Sequence, residues 1–184
     1  MARTPSNMLP LGTEAPDFKL YDTVSHEPLS LQQLKGPEAT VIMFICNHCP
    51  FVIHVNAALV AIANEFKEKG IGFIAISSND AKNYPQDAPD KMTIHAKENQ
   101  YPFPYLYDET QNVAKAYDAA CTPDLYVFDA ALRLTYRGQL DDSRPGNGIA
   151  VSGSDLRHAL DCILANESNT KPQKPSIGCN IKWK

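Results

Sequence analysis

Ala39-Thr40-Val41-Ile42-Met43-Phe44-Ile45, then Cys46-Asn47-His48-Cys49-Pro50, then an amphipathic stretch ending at Phe66: this segment decides how the chain is read. The first part is almost devoid of polarity and rich in β-branched and aromatic residues, the pattern of a strand covered on both faces, as in a parallel sheet. After the two cysteines, Val52, Val55, Ala58, Leu59, Ile62, Ala63 and Phe66 recur at three- and four-residue steps, one face of a helix. A C-x-x-C pair between a buried strand and a helix is the sequence form of a dithiol redox site.

The helix closes at Gly70, and Ile71–Ser77 is a second apolar run, so the segment reads as a strand–helix–strand unit with a right-handed crossover. Upstream, residues 1–16 carry three prolines and read as an extended arm. Asp17–Tyr21 and Glu27–Leu29 suggest two short strands. Ser30 with Gln33 three residues on gives a capping box for a short helix before Gly36. Downstream, residues 78–90 read as a loop and Asp90–Gln100 as a polar helix. Tyr101–Tyr107, with two prolines, reads as extended and packed rather than a regular inner strand. Thr110–Tyr117 is a helix, and Leu125–Phe128 with Leu132–Gly138 a hairpin. Residues 141–153 are loop, and Ser154 caps a last helix with apolar face Leu156, Ala159, Leu160, Ile163 and Leu164. Residues 167–184 read as an irregular tail. With no internal repeat and no second core, the 184 residues are expected to form a single domain.

Composition narrows the function. Hydrophobic residues make up 43% and charged ones 21%, values typical of a folded globular chain. A net charge of −4 without a basic block argues against nucleic acid and against anionic membrane surfaces. No run approaches the eighteen or so apolar residues of a membrane span, and the first ten residues lack a signal-peptide core, so a cytoplasmic protein without membrane partners is expected. Five cysteines, 46, 49, 121, 162 and 179, are an odd number, unsuited to a closed disulfide framework.

At a C-x-x-C opening a helix, the first cysteine is expected near the N-cap, where free N–H groups and the helix dipole favour its thiolate. Cys46 is therefore the candidate nucleophile and Cys49 the resolver of the mixed disulfide. His48 is a candidate for further stabilising the Cys46 thiolate. Pro50 suits the first helical turn. Half a zinc site is a second reading of the pair, but no second C-x-x-C or H-x-x-x-H accompanies it, and no metal is expected. Cys162 lies beside the last helix's apolar stripe and reads as packing. Asp141, Asp142 and Arg144 read as a solvated loop.

The segments Leu11-Gly12-Thr13-Glu14-Ala15-Pro16-Asp17-Phe18, Cys46-Asn47-His48-Cys49-Pro50 behind its strand, and Thr122-Pro123-Asp124 before a hairpin resemble the thioredoxin-fold superfamily, and more closely its peroxiredoxin-like branch (alkyl hydroperoxide reductase/thiol-specific antioxidant, redoxin). Cys121–Asp124, Tyr136–Pro145 and the tail Lys174–Lys184 resemble an uncharacterised subgroup of that branch. The resemblance implies an α/β thioredoxin-like fold, a central mixed sheet flanked by helices with an N-terminal hairpin extension, and no bound cofactor. It implies a cis Pro123 facing the cysteines, with the Thr122 backbone pairing with an extended substrate by strand addition. Cys121 would lie near the pair, Arg137 or Arg144 could stand for the family's peroxide-positioning arginine, and Cys179 could resolve a sulfenic acid.

The chain also departs from these families. Where thioredoxins carry Trp before the first cysteine and a buried Asp six residues before it, this chain has Ile45 and Thr40. The Pro-x-x-x-Thr/Ser-x-x-Cys pattern of peroxiredoxins finds Ile42 and Cys46 ahead of Cys49, and Ala39 and Met43 ahead of Cys46. The expected activity is thiol–disulfide exchange by Cys46 and Cys49, with protein or small-molecule disulfides as substrates and a thiol such as thioredoxin or glutathione as reductant. The alternatives are reduction of hydroperoxides and a metal-binding or redox-sensing module. A homodimer is left open.

Overall fold

The computed structural model describes residues 3–184, so Met1 and Ala2 of the expected arm lie outside the described residues. Strand β4 (Ala39–Phe44) is the centre of the molecule, and every one of its residues is buried. It pairs in parallel with β5 (Ile71–Ser77) on one side and antiparallel with β8 (Asp124–Asp129) on the other. β6 (Tyr105–Tyr107), β2 (Lys19–Asp22) and β3 (Pro28–Ser30) extend the sheet beyond β5, and β9 (Leu134–Gly138) extends it beyond β8. The seven-stranded order is β3-β2-β6-β5-β4-β8-β9, a mixed sheet.

Alternation along β4 divides the interior into two cores. Val41 and Met43, with Ile45 just beyond the strand, pack with Val52, Leu59, Ile62 and Phe66 of helix α2 (Pro50–Phe66) and with Leu156 and Leu160 of helix α5 (Ser154–Leu164). Ile42 and Phe44 face the opposite way, onto Leu31 of α1 (Leu31–Leu34), Ala114 of α4 (Asn112–Ala116) and Tyr117. Helix α3 (Pro89–Glu98) adds Met92 and Ala96 to the first core. Burying each large side chain contributes about 1.5–3 kcal/mol, which is why this strand organises the fold. Among the described residues no helix is long and apolar enough to cross a membrane.

Local signals hold at most boundaries. The Ser30–Gln33 capping box forms in both directions. Gly70 ends the α2 segment in the left-handed region, at φ 83°. Three expectations need correction. β6 is an inner strand, between β2 and β5. Pro102 and Pro104 precede its ladder, so their missing N–H groups remove nothing from it. Ser154 is the first residue of α5 rather than its cap, and Gly153 takes the cap position with φ 69°. The third correction concerns both chain ends. Thr4–Pro5 forms β1, Ile177–Asn180 forms β10, and with β7 (Cys121–Thr122) they make a small antiparallel sheet ordered β1-β10-β7. The tail is therefore a fixed strand lying on the residues that precede Pro123. Four residues with a glycine carry too little alternation to be read as a strand from sequence.

Candidate active site

Helix α2 begins at Pro50, and Cys49 rather than Cys46 is its N-cap residue. Proline in the first turn sets this start, because its fixed φ suits a helix and its missing N–H has no helical partner to lose. Cys46 sits three residues earlier, directly after β4 and Ile45, whose N–H continues the ladder to Ile76 O at 2.9 Å. The expectation that the first cysteine lies at the helix end is thus corrected by one turn.

The two sulfurs share one environment. Cys46 Sγ lies 3.4 Å from Thr122 Oγ1. Cys49 Sγ lies 3.1 Å from the Thr122 carbonyl oxygen, to which its thiol donates. The Thr122–Pro123 peptide bond is cis, as the resemblance implied. The residues are 1% and 0% exposed, so the pair is closed over in this structure.

Electrostatics separate the two thiols. The Cys46 S–H donates to Cys49, and with the S–H of Cys179, the Val52 N–H and the Thr122 hydroxyl it holds Cys49 down at about 4, against the opposing effect of burial. Val52 N–H is one of the unpaired donors of the helix start; it faces the sulfur without closing a full capping bond. Cys46 is pushed well above the usual thiol range by that same donation, then by burial and by the Asp87 carboxylate. The interaction between the two thiols thus favours a single negative charge for the reduced pair, and the Cys46 S–H, with the Val52 N–H and the Thr122 hydroxyl, draws that charge toward Cys49, whose own thiol reaches the Thr122 carbonyl only while it keeps its proton.

The Cys46–Cys49 bend is held from the loop after β5. Asp87, fully buried, accepts the Asn47 backbone N–H through Oδ1 at 2.9 Å and Asn79 Nδ2 through Oδ2 at 2.8 Å. Asn47 also donates to Gln86 O and accepts from Tyr105 OH. His48 Nδ1 is 2.7 Å from Asp87 Oδ2, at ion-pair distance but off the line of a well-directed hydrogen bond, and its ring stacks on Tyr84. Sequence reading missed Asp87 and Tyr84. Their only signal was a loop dense in Asp, Asn and Pro, which does not say what it will touch.

Ligand atoms of Cys46, His48 and Asp87 lie within 4.8 Å of one another, the only such metal-capable group among the described residues. Both oxygens of Asp87 already accept hydrogen bonds, so a cation there would have to share a carboxylate that fixes the bend. Cys49 is not part of the group.

The accessory candidates divide. Cys179, expected in a flexible tail, is 3% exposed on β10, opposite Thr122 in register, and packs in the same core as Cys46 and Cys49. Burial, then donation to Cys49, pushes its thiol up to about 12. Cys121 is buried, its S–H directed at Pro123 O, and burial followed by Asp124 pushes its thiol up, so it is chemically quiet. Cys162 is buried on α5, as expected of packing. Arg137 is fully buried and committed elsewhere: Nη2 lies 3.2 Å from Asp124 and 2.7 Å from Asp118 O, Nε donates to Ser6, and its guanidinium rests on the Tyr126 ring. Arg144 donates to the Asp141 and Ser143 carbonyls and to Gln139 rather than pointing into solvent. Asp141 is buried too, accepting Ser143, Ser152 and Gly153 N–H groups, so this loop is not simply solvated. The backbone edge of Thr122, expected to be open for a substrate strand, is occupied by β10. A hollow of about 1110 Å³ lined by Tyr21, Asp80, Lys82, Asn83, Tyr107 and Lys184 contains none of the candidate residues.

Residues 11–137 match the AhpC/TSA family. The chain is similar over its whole length to an uncharacterised conserved protein from Geobacillus kaustophilus, with 58% identity, 97% of that chain covered and a TM-score of 0.98. A hypothetical protein from Sinorhizobium meliloti is 45% identical, with 98% of both chains covered and a TM-score of 0.96. A peroxidoxin from Mycobacterium tuberculosis is 19% identical, with 86% of this chain and 98% of that chain covered and a TM-score of 0.63. At that identity it shows the fold alone, a thioredoxin fold with its central mixed sheet and flanking helices. No curated protein matches the sequence.

Proposed function

Because the chain belongs to the AhpC/TSA family, whose members support thiol-based redox function, we propose that it is a thiol–disulfide oxidoreductase working through Cys49 and Cys46. The observation that carries this reading is the pair itself. The two sulfurs share one buried site, Cys46 Sγ 3.4 Å from Thr122 Oγ1 and Cys49 Sγ 3.1 Å from Thr122 O, at the start of a 17-residue helix, with the Cys49 thiol held down by its neighbour.

The Cys49 thiolate attacks one sulfur of a substrate disulfide, forming a mixed disulfide and releasing the other sulfur as a thiolate that takes up a proton. Cys46 then gives up its proton and attacks the Cys49 sulfur. The Cys46–Cys49 disulfide forms, and the second substrate sulfur leaves reduced. The substrate gains two electrons and two protons; the pair gives up both electrons and the Cys46 proton, and the second proton comes from water. A thiol such as thioredoxin or glutathione runs the sequence backwards to restore the dithiol. Since both thiols are closed over, exchange requires a local opening, and such openings are common around binding loops.

A thiolate stabilised in the reduced form makes the couple oxidising. Equilibration with glutathione buffers and quantification of the Cys46–Cys49 disulfide should give a potential above about −230 mV, less reducing than the roughly −270 mV of thioredoxin. Acceleration of insulin reduction by dithiothreitol, lost in Cys49→Ser, is the accompanying activity.

Reduction of hydroperoxides is the second reading, favoured by family membership and by the low Cys49 thiol. Against it, Arg137 is held by Asp124, and the position three before Cys49 holds a thiol, Cys46, rather than a hydroxyl. Rapid hydroperoxide consumption with a thiol donor, without any effect on insulin, would replace the first reading by the second.

A further inference from the structure

The bend between β4 and α2 brings three unlike donors to one spot. The Cys46 sulfur, a ring nitrogen of His48 and an Asp87 oxygen lie within 4.8 Å of one another, and His48 Nδ1 is 2.7 Å from Asp87 Oδ2. Cys46 and Asp87 are buried. His48 Nδ1 is buried as well, yet it makes no directed hydrogen bond. A buried polar atom without a partner calls for an explanation. This one lies beside a carboxylate whose only ion-pair partner among the described residues is the same histidine. The spot gathers a carboxylate, an ionisable thiol and an idle nitrogen, a combination that a cation satisfies.

The carboxylate is held from behind. Lys182 N–H donates to Asn79 Oδ1 at 2.8 Å, Asn79 Nδ2 donates to Asp87 Oδ2 at 2.8 Å, and the Asn47 N–H donates to Oδ1 at 2.9 Å. Each carboxylate oxygen carries two lone pairs, so Oδ2 keeps one for an ion while Asn79 uses the other. Supporting bonds of this kind orient metal ligands. The His48 side chain is 25% exposed, so its ring can shift without disturbing the core.

We propose that this cluster is a zinc site of the reduced protein, with Cys46 Sγ, His48 Nδ1 and Asp87 Oδ2 as ligands and water in the fourth position. One thiolate, one imidazole and one carboxylate suit zinc better than magnesium or calcium, which take oxygen, or copper(I), which prefers sulfur. Ligand atoms around a tetrahedral zinc lie about 3.3–3.6 Å apart, so the His48–Asp87 contact of 2.7 Å opens by about 0.6 Å as the ion seats. Binding exchanges the Cys46 proton for the metal: the S–H bond breaks, the sulfur–zinc bond forms, and the proton goes to water. No electron moves. A coordinated Cys46 does not attack a Cys49 mixed disulfide, and a Cys46–Cys49 disulfide has no thiolate to offer zinc. The ion therefore competes with exchange and slows its resolving step. The site stands on the cluster's geometry, and its competition with exchange rests on the thiol–disulfide reading above.

The test is zinc binding by the full-length protein, kept reduced with a non-thiol reductant and titrated with Zn²⁺ against a chromophoric chelator. Wild type should bind one zinc per chain. Cys46→Ser, His48→Ala and Asp87→Asn should each weaken binding at least about tenfold, and Cys49→Ser should keep it. Should Asp87→Asn fail to fold, the partly exposed His48 position decides. Cobalt(II) in place of zinc should give a thiolate charge-transfer band in Cys49→Ser and none in Cys46→Ser. No zinc on reduced wild type overturns the site and leaves the exchange reading standing. Binding as tight in His48→Ala as in wild type, or lost in Cys49→Ser, assigns the ion to the bare dithiol and overturns the site as well. Zinc should also slow formation of the Cys46–Cys49 disulfide from glutathione disulfide, and an unchanged rate at full occupancy overturns the competition. Failure of the zinc-free protein to form that disulfide overturns the exchange reading, and the competition with it.

Discussion

Cys49 is acidic chiefly because of the sulfur beside it, and the Val52 N–H at the start of its helix adds to the effect. The Cys46 S–H is the largest single influence holding the Cys49 thiol at about 4. Thiolate absorbance near 240 nm should therefore titrate with a midpoint near pH 4 in the reduced protein and vanish in Cys49→Ser. In Cys46→Ala the midpoint should move up, and an unchanged midpoint would show that the helix end, not the thiol pair, sets it. Stability follows with a definite sign. An unfolded cysteine binds its proton up to about pH 8.5, while folded Cys49 has lost it above about 4. Between these values the unfolded state binds more protons, so the Cys49 contribution grows as pH rises, is complete above the unfolded value, and disappears as pH falls through 4. Cys46, raised, works oppositely: its contribution is full below the unfolded value and declines at higher pH. Denaturant midpoints of the reduced protein, referred to the Cys46→Ser/Cys49→Ser double variant, should thus increase from pH 4 to 8 and fall again above 9. Asp87→Asn, by removing a carboxylate that raises Cys46, should lower the Cys46 pKa, as read by its alkylation rate against pH in Cys49→Ser.

At the scale of elements, the strand–bend–helix unit positions the site, and its neighbours pack at close approach. Gly36, after α1, and Gly72, in β5, touch backbone to backbone: a Cβ on Gly36 would lie 2.2 Å from Gly72 N and 2.3 Å from Ala39 O. Backbone cannot swing aside as a flexible side chain can. Gly36→Ala should cost about 1–3 kcal/mol, the usual penalty of overpacking, measured by urea denaturation. A stability equal to wild type would mean the β4–β5 edge is softer than its pairing indicates. The sequence announced β4, α2 and β5 through their length and periodicity, where burial on one face or both forces a repeat. β6 and β10 were hidden, because three or four residues of strand amid prolines and a glycine carry no usable period.

Across the whole molecule, Arg137 is the tie. Its guanidinium on β9 reaches Asp124 on β8, the Asp118 carbonyl after α4, and Ser6 in the N-terminal arm. Ser6 closes the circle by donating to Asp124 at 2.7 Å. Burial raises Asp124 above the ordinary carboxylate range despite the opposing pull of Arg137 and Ser6. Arg137→Met should strand that acid and cost about 3–5 kcal/mol, whereas Arg137→Met with Asp124→Leu should recover most of the loss. The penalty of the single variant should deepen as pH rises above 4, since a raised acid keeps a proton in the folded state that the unfolded chain releases. Equal midpoints for single and double variants in urea would show that packing, not charge, holds the arm.

The order of elements, the central buried strand, the dithiol bend and its helix were written in the sequence, because apolar periodicity and C-x-x-C spacing are local and survive without coordinates. The family resemblance further implied the cis peptide before Pro123. Tertiary structure alone decided that Cys49 caps the helix, that Asp87 and Tyr84 brace the bend, that Arg137 serves an ion pair, and that Cys179 lies opposite Thr122 on β10. Most of those outcomes depend on contacts between residues far apart in sequence, such as Asn47 with Asp87, Cys49 with Thr122 and Arg137 with Ser6, and no local pattern encodes which distant groups will share a single desolvated space.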